Sequence, residues 1–183
     1  MRVITGIARG KRLVTPDGSD VRPTSDKVKE ALFSALQFDI EGRRVLDLFA
    51  GTGQLGIEAL SRGAAEAVFV EKRLDAVRLI KENLALCQLQ DKARVHPGDS
   101  LAYLRSGEKF DLIFLDPPYG SDLLNQALEM IAAFDICRAH GIIVAESAVD
   151  KALPAMPAPY RLYREYRYGQ IKLTVFHRDG NED

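Results

Sequence analysis

The stretch Asp47-Leu48-Phe49-Ala50-Gly51-Thr52-Gly53-Gln54-Leu55-Gly56 joins an apolar run to an amphipathic one. Val45 to Phe49 reads as a strand, and Leu55 to Arg62 as a helix ended by Gly63. Glycine lets the backbone turn tightly and lets a ligand approach without striking a Cβ. Gly51, Gly53 and Gly56 spell the G-x-G-x-x-G of a nucleotide-binding strand-to-helix turn, with Glu71 twenty residues beyond Gly51.

Working outward, the same alternation continues. Strands are expected over Ala67–Val70, Ala93–His96, Phe110–Leu115 and Gly141–Ala145. Between them fall helices over Leu74–Leu89 and Ser100–Leu104, and one striped by Leu124, Ala127, Leu128 and Ile131. Strands alternating with helices predict a parallel sheet covered on both faces. The end differs: Tyr163–Tyr168 and Ile171–Phe176 are separated only by Gly169-Gln170, a hairpin turn. The expected fold is therefore α/β, a mostly parallel seven-stranded sheet closed by an antiparallel C-terminal hairpin. One domain over residues 1–183 is expected, divided into a basic N-terminal extension (1–23), a leading helix (24–38) and a Rossmann-like core (44–183). The leading helix follows Pro23, with Thr24 or Ser25 as its cap and Val28, Ala31, Leu32, Ala35 and Leu36 on its buried face.

Composition narrows the function. The chain has 183 residues, of which 46% are hydrophobic and 28% charged, enough for a buried core. Cys87 and Cys137 lie far apart in apolar surroundings, which argues against a disulfide scaffold or a Cys-x-x-Cys site. His96, His140 and His177 have no second ligand at metal spacing, so no metal is expected. Neither a membrane-spanning run nor a signal-peptide core is visible, which makes the cytoplasm the expected compartment.

The glycine pattern alone fits a dinucleotide, but the acids around it favour another ligand. Asp47 stands at the end of the first strand, where a pyrophosphate would be repelled and the ammonium and sulfonium of S-adenosylmethionine attracted. Glu71 ends the second strand, where a carboxylate can accept both ribose hydroxyls. Asp99 follows the third, within reach of an adenine amino group. The expected cofactor contacts are Asp47, Phe49, Ala50, Gly51, Gly53, Glu71 and Asp99. At the fourth strand end stands Asp116-Pro117-Pro118-Tyr119. Prolines remove backbone donors and leave carbonyls. Asp116 and the Pro117 carbonyl could grip the two protons of an exocyclic amine, while Tyr119 stacks the base.

Charge is unevenly spread. Residues 1–15 hold Arg2, Arg9, Lys11 and Arg12 and no acid; residues 160–178 hold five basic residues against Glu165. The two segments together carry +8 in a chain of net charge −1. They are expected to form one basic face for a polyanion, with Arg9, Lys11, Arg12 and Arg22 touching RNA.

These motifs resemble the small bacterial methyltransferases that modify guanine N2 in 16S ribosomal RNA. The likeness lies in the 47–56 loop, in Glu58-Ala59-Leu60-Ser61-Arg62-Gly63-Ala64, and in Asp116-Pro117-Pro118-Tyr119. It extends to Arg2-Val3-Ile4-Thr5-Gly6, Arg9-Gly10-Lys11-Arg12-Leu13 and Arg22-Pro23-Thr24-Ser25-Asp26-Lys27-Val28-Lys29-Glu30. The chain departs from the family pattern at Ser34, where an asparagine would be expected, and at Lys27 and Lys29, which replace arginines. The resemblance implies a class I S-adenosylmethionine-dependent fold and ribosomal RNA, on the small subunit or its assembly intermediate, as substrate. Alternatives from the residues alone are a DNA adenine-N6 methyltransferase, an NAD-binding oxidoreductase and a catalytically silent RNA-binding module.

Overall fold

The computed structural model describes residues 1–17 and 23–180. Seven strands form one sheet: β1 (Arg44–Asp47), β2 (Glu66–Glu71), β3 (Ala93–Pro97), β4 (Phe110–Leu115), β5 (Cys137–Ala148), β6 (Tyr160–Tyr168) and β7 (Ile171–Arg178). Five helices accompany them: α1 (Pro23–Ala35), α2 (Gln54–Ser61), α3 (Leu74–Leu86), α4 (Ser100–Tyr103) and α5 (Leu123–Phe134). The strand order is β3-β2-β1-β4-β5-β7-β6. The first five strands pair in parallel, and β7 runs antiparallel to both β5 and β6. This is the expected class I methyltransferase arrangement, including the two-residue turn that sets Tyr168 opposite Ile171.

Side chains alternate across a strand, so each central strand feeds two cores. Val45, Phe69, Leu112, Phe114 and Val144 face the layer of α1, α2 and α3. Leu46, Val68, Val70, Ile113 and Ile143 face α4 and α5. The near-continuous apolar run of β4 reflects burial on both sides.

Several boundaries differ from expectation. The leading helix stops at Ala35 rather than residue 38, and Phe38 beyond it is 90% exposed. Its start at Pro23 puts Thr24 and Ser25 inside the first turn, where a proline is well tolerated. Helix α3 stops at Leu86 because Gln88 turns left-handed, with φ of 56°. Strand β5 begins four residues early, at Cys137, across a register irregularity opposite Phe110 and Leu112. Strand β6 also starts earlier, at Tyr160, whose buried ring and hydroxyl bond to Asp135 (2.8 Å) anchor it.

The N-terminal extension is part of the packed structure. Val3, Ala8 and Leu13 are buried in the core that also holds α1, α2 and β7. Glu58, fully buried on α2, organises it. The Glu58 carboxylate accepts from the backbone N–H of Ile4 (2.9 Å) and Thr5 (3.1 Å) and from the Arg62 guanidinium (3.0 Å). Lys29 lies 3.9 Å from Glu58 and donates to the Arg2 carbonyl at 2.6 Å. The Ser61 hydroxyl bridges the Ala8 N–H and the Thr5 carbonyl, and Asn83 brackets Val14 through both its N–H and its carbonyl. Gly6 is required here: a Cβ would lie 1.9 Å from the Ser61 carbonyl oxygen.

Removing Glu58 should leave the buried Lys29 ammonium without its counter-charge and the Ile4 and Thr5 N–H groups without their acceptor. Glu58→Ala is expected to cost on the order of 3–5 kcal/mol of folding stability. Urea denaturation measures this, and a loss below about 1 kcal/mol would contradict the bracing role.

Candidate functional site

The parallel strands end on one side of the sheet, where the chain reverses direction between β1 and β4, the position at which open α/β sheets form ligand crevices. A cavity of about 600 Å³ opens there. Phe49 and Gly51 line it from the β1 turn, Glu71 and its neighbours Lys72 and Arg73 from β2, and Asp99, Ser100 and Leu101 from the start of α4. Asp116, Pro117, Pro118 and Tyr119 contribute from the loop after β4, and Glu146 from β5. Six of the seven Asp, Pro, Tyr, Glu and Asp positions read from the motifs at strand ends thus converge: Glu71, Asp99, Asp116, Pro117, Pro118 and Tyr119.

Asp47 behaves differently. It is 2% exposed and lies beneath the turn, accepting from the Gly56 N–H at 2.9 Å rather than facing the cavity. Gly56 packs on Phe69, where a Cβ would lie 2.3 Å from the ring. Burial pushes the Asp47 carboxyl up to about 7; the Glu71 charge adds to this, and the Gly56 bond opposes it. Ala50 and Gly53 are likewise buried in the turn, their N–H groups donating to Val70 and Ala50 carbonyls. Phe49 adopts a φ of 71°, rare outside glycine, which is the kind of strain that functional turns carry.

Glu71 holds the turn from the other side. One oxygen accepts from the Gly51 N–H (2.8 Å), the other from the Arg73 N–H (2.9 Å). Each carboxylate oxygen keeps a further lone pair for a ligand donor. Asp99 caps α4 by accepting from the Ala102 N–H at 2.9 Å through Oδ1, which leaves Oδ2 for a ligand. The cavity has the size of a small-molecule site. Its carboxylates and turn backbone suit the hydroxyls, amines and positive charge of S-adenosylmethionine.

The acceptor loop is tethered. The Ser121 hydroxyl donates to the Pro118 carbonyl (2.8 Å), and Lys151 donates to the Ser121 carbonyl (3.0 Å). The Tyr119 hydroxyl donates to Glu146 at 3.1 Å. Burial holds the Asp116 carboxyl well above the usual carboxylate range, and the negative charges of Glu146 and Asp47 push the same way. Glu146, Lys72, Arg73, Ser100, Leu101 and Leu123 line the cavity without having been picked out from sequence. Of these, Glu146 bears a mark in the sequence, an acid inside an apolar strand, but one that does not by itself point to the cavity.

The basic face is thinner than the sequence suggested. Arg9, Lys11 and Arg12 are exposed on the docked extension, and Arg22 lies outside the described residues. Lys172 is 5% exposed and donates to the Lys151 carbonyl, while Arg178, 8% exposed, is bound to Asp135. Lys29 too is buried, so its departure from arginine concerns packing rather than phosphate binding.

Asp47→Asn keeps an acceptor for the Gly56 N–H but carries no charge. Wild-type Asp47 binds its proton more tightly folded than unfolded, so stability falls as pH rises from about 4 towards 7 and levels off above. The variant lacks this loss. Relative to wild type it should gain up to about 4 kcal/mol between about pH 4 and pH 8, at about 1.4 kcal/mol per pKa unit. Urea titrations across this range check it; a stability difference independent of pH would refute the protonation of Asp47.

A family described as "Conserved hypothetical protein 95" matches residues 1–177. A Bacillus subtilis (strain 168) relative, "Putative rRNA methyltransferase YlbH", is 38% identical over 98% of this chain and 100% of its own. An Escherichia coli (strain K12) relative, "Ribosomal RNA small subunit methyltransferase D", is 35% identical over 98% of this chain and 90% of its own. The solved structure "Putative methyltransferase yhhF from Escherichia coli" superposes with a TM-score of 0.89 at 33% identity, covering 99% of both chains. The chain therefore belongs to the "Conserved hypothetical protein 95" family, alongside the ribosomal RNA small subunit methyltransferase D proteins.

Proposed function

We propose that the protein transfers a methyl group from S-adenosylmethionine to guanine N2 of 16S ribosomal RNA, carried by the small subunit or its assembly intermediate. The observation that carries this reading is the convergence of Asp116-Pro117-Pro118-Tyr119 with Glu71 and Asp99 around one cavity. The printed names of the ribosomal RNA methyltransferase relatives support it. Work on ribosomal subunits would place the protein in the cytoplasm.

Bound S-adenosylmethionine supplies an electrophilic methyl on a sulfonium. Glu71 accepts the ribose hydroxyls, Asp99 the adenine amino group, and the Phe49-Ala50-Gly51 turn with Gly53 keeps the backbone clear of the ligand. Asp47 acts from below, fixing the turn through Gly56. An aromatic amine is a weak nucleophile because its lone pair is delocalised into the ring. Asp116 and the Pro117 carbonyl accept its two N–H bonds and turn the lone pair toward the methyl group. Pro118 stiffens the loop, and Tyr119 stacks the base. Catalysis rests on this alignment, for which positioning alone can supply several kcal/mol. As the new N–C bond forms at the expense of the sulfonium S–CH3 bond, whose electron pair stays on the departing thioether sulfur, the amine gives up one proton, which Asp116 is suited to hold because its surroundings favour the protonated carboxyl. The exposed Arg9, Lys11 and Arg12, with Arg22, contact RNA phosphates.

Labelled methyl transfer offered in parallel to small ribosomal subunits and to duplex DNA, followed by nucleoside analysis, tests the reading. The expected product is N2-methylguanosine, whereas methylated adenine in duplex DNA would overturn it. Asp116→Ala should abolish turnover while leaving cofactor affinity near wild type, since the role is exercised in the transition state. Near-normal single-turnover rates in that variant would contradict the assignment. Changing Arg9, Lys11 and Arg12 together to alanine should weaken RNA binding and flatten its salt dependence by about 0.7 log units per lost contact, with thermal stability close to wild type. Normal methylation of subunits by that triple variant at physiological salt would remove the basic face from the account.

A further inference from the structure

The acceptor end of the cavity holds a second acid that amine alignment does not require. Glu146 comes from β5, a different strand from the one that delivers Asp116, and both line the same cavity. Its carboxylate is half-buried, and Oε1 accepts from the Tyr119 hydroxyl at 3.1 Å. The residue that would stack the base is therefore coupled directly to an acceptor beside it. Two acids placed together in a partly desolvated site repel one another, and burial makes that repulsion costly. Hydrogen-bond donors supplied by a ligand relieve it.

The bases differ sharply in the donors they present beside an exocyclic amine. Guanine places its N1–H next to N2, so that edge offers three donor hydrogens in a row. Adenine and cytosine place a bare ring nitrogen next to their amine, an acceptor that a carboxylate repels. An ionised carboxylate only accepts hydrogen bonds, whereas an amide can accept and donate. With RNA guanine as the methyl acceptor, a reading on which this role rests, we infer that Glu146 is the specificity-determining residue: its carboxylate accepts the guanine N1–H while Asp116 and the Pro117 carbonyl hold N2. Asp116 selects for an amine of any base, and Glu146 restricts that amine to guanine. A site built to bond a particular N–H rejects analogues lacking it more strongly than an apolar pocket rejects a missing methylene.

The test uses small subunits reconstituted with 16S ribosomal RNA carrying either guanine or 2-aminopurine at the methylated position. 2-Aminopurine keeps the amine at C2 but has a lone pair in place of N1–H. Wild-type kcat/KM should favour guanine by on the order of 10–100-fold, the worth of a hydrogen bond to a charged group. Glu146→Gln retains an acceptor for Tyr119 and adds a donor for the bare nitrogen, so it should compress that ratio by about tenfold or more. The missing O6 of 2-aminopurine affects both enzymes and cancels in the comparison. Tyr119→Phe removes the hydroxyl that Glu146 accepts; it should slow the reaction but keep the wild-type ratio. Equal ratios in wild type and Glu146→Gln would overturn the role of Glu146 while leaving methyl transfer to guanine intact. Collapse of the ratio in Tyr119→Phe would overturn it as well, reducing Glu146 to a tether for the ring. If Glu146→Gln does not fold, wild-type parity between the two bases is sufficient to overturn it. No transfer to either RNA by the wild type would remove both this role and the reading it rests on.

Discussion

The turn between β1 and α2 is clamped by two carboxylates, and the geometry of the whole cavity depends on that clamp. Asp47 pulls the Gly56 N–H from beneath, and Glu71 pulls the Gly51 N–H from the neighbouring strand. Between these points the backbone passes through left-handed residues Phe49, Gly51 and Gly53. A turn of that kind has few interactions of its own, so its shape is set by its anchors. Parallel pairing of β1 with β2 and β4 brings Glu71 beside the turn and the acceptor loop alongside it. The same carboxylate that shapes the turn stands at the cavity wall with lone pairs to spare, so scaffold and ligand contact share one side chain.

The electrostatics follow from this economy. Burial raises the proton affinity of both Asp47 and Asp116; the charge of Glu71 adds to it at Asp47, and the charges of Glu146 and Asp47 add to it at Asp116. Such a site is ill suited to pyrophosphate and well suited to a cation and to the N–H groups of a base. The contrast with a dinucleotide site comes from these acids and not from the glycines, which serve both ligands equally.

Much of the fold was legible because the signals were local. The period-two and period-3.6 patterns of β4, α3 and α5, and the Gly169-Gln170 turn, need only neighbouring residues to be read. Strand ends carried by tertiary contacts were not legible in this way. The early start of β5 passes through Arg138 and His140, exposed residues with no alternation, and is held by pairing with β4. The site divides along the same line. Glu71, Asp99 and the Asp116–Tyr119 loop stand at strand ends, where topology alone points them into the crevice. Asp47 also stands at a strand end, yet a backbone N–H nine residues on claims it. Basic residues were overcounted for the same reason: Lys172 and Arg178 are buried and bound to Lys151 and Asp135, partners distant in sequence that charge along the chain cannot reveal. Glu146 went unnoticed because a single acid in an apolar strand acquires meaning only beside Asp116 and Tyr119.

Titration calorimetry on the intact protein with S-adenosylmethionine and, separately, NADH addresses the central claim most directly. The carboxylate-lined cavity predicts saturable binding of S-adenosylmethionine and no heat from NADH. Glu71→Ala should weaken the former by about 1–3 kcal/mol through lost acceptors for the ribose hydroxyls. Binding of NADH with no response to S-adenosylmethionine would contradict the account.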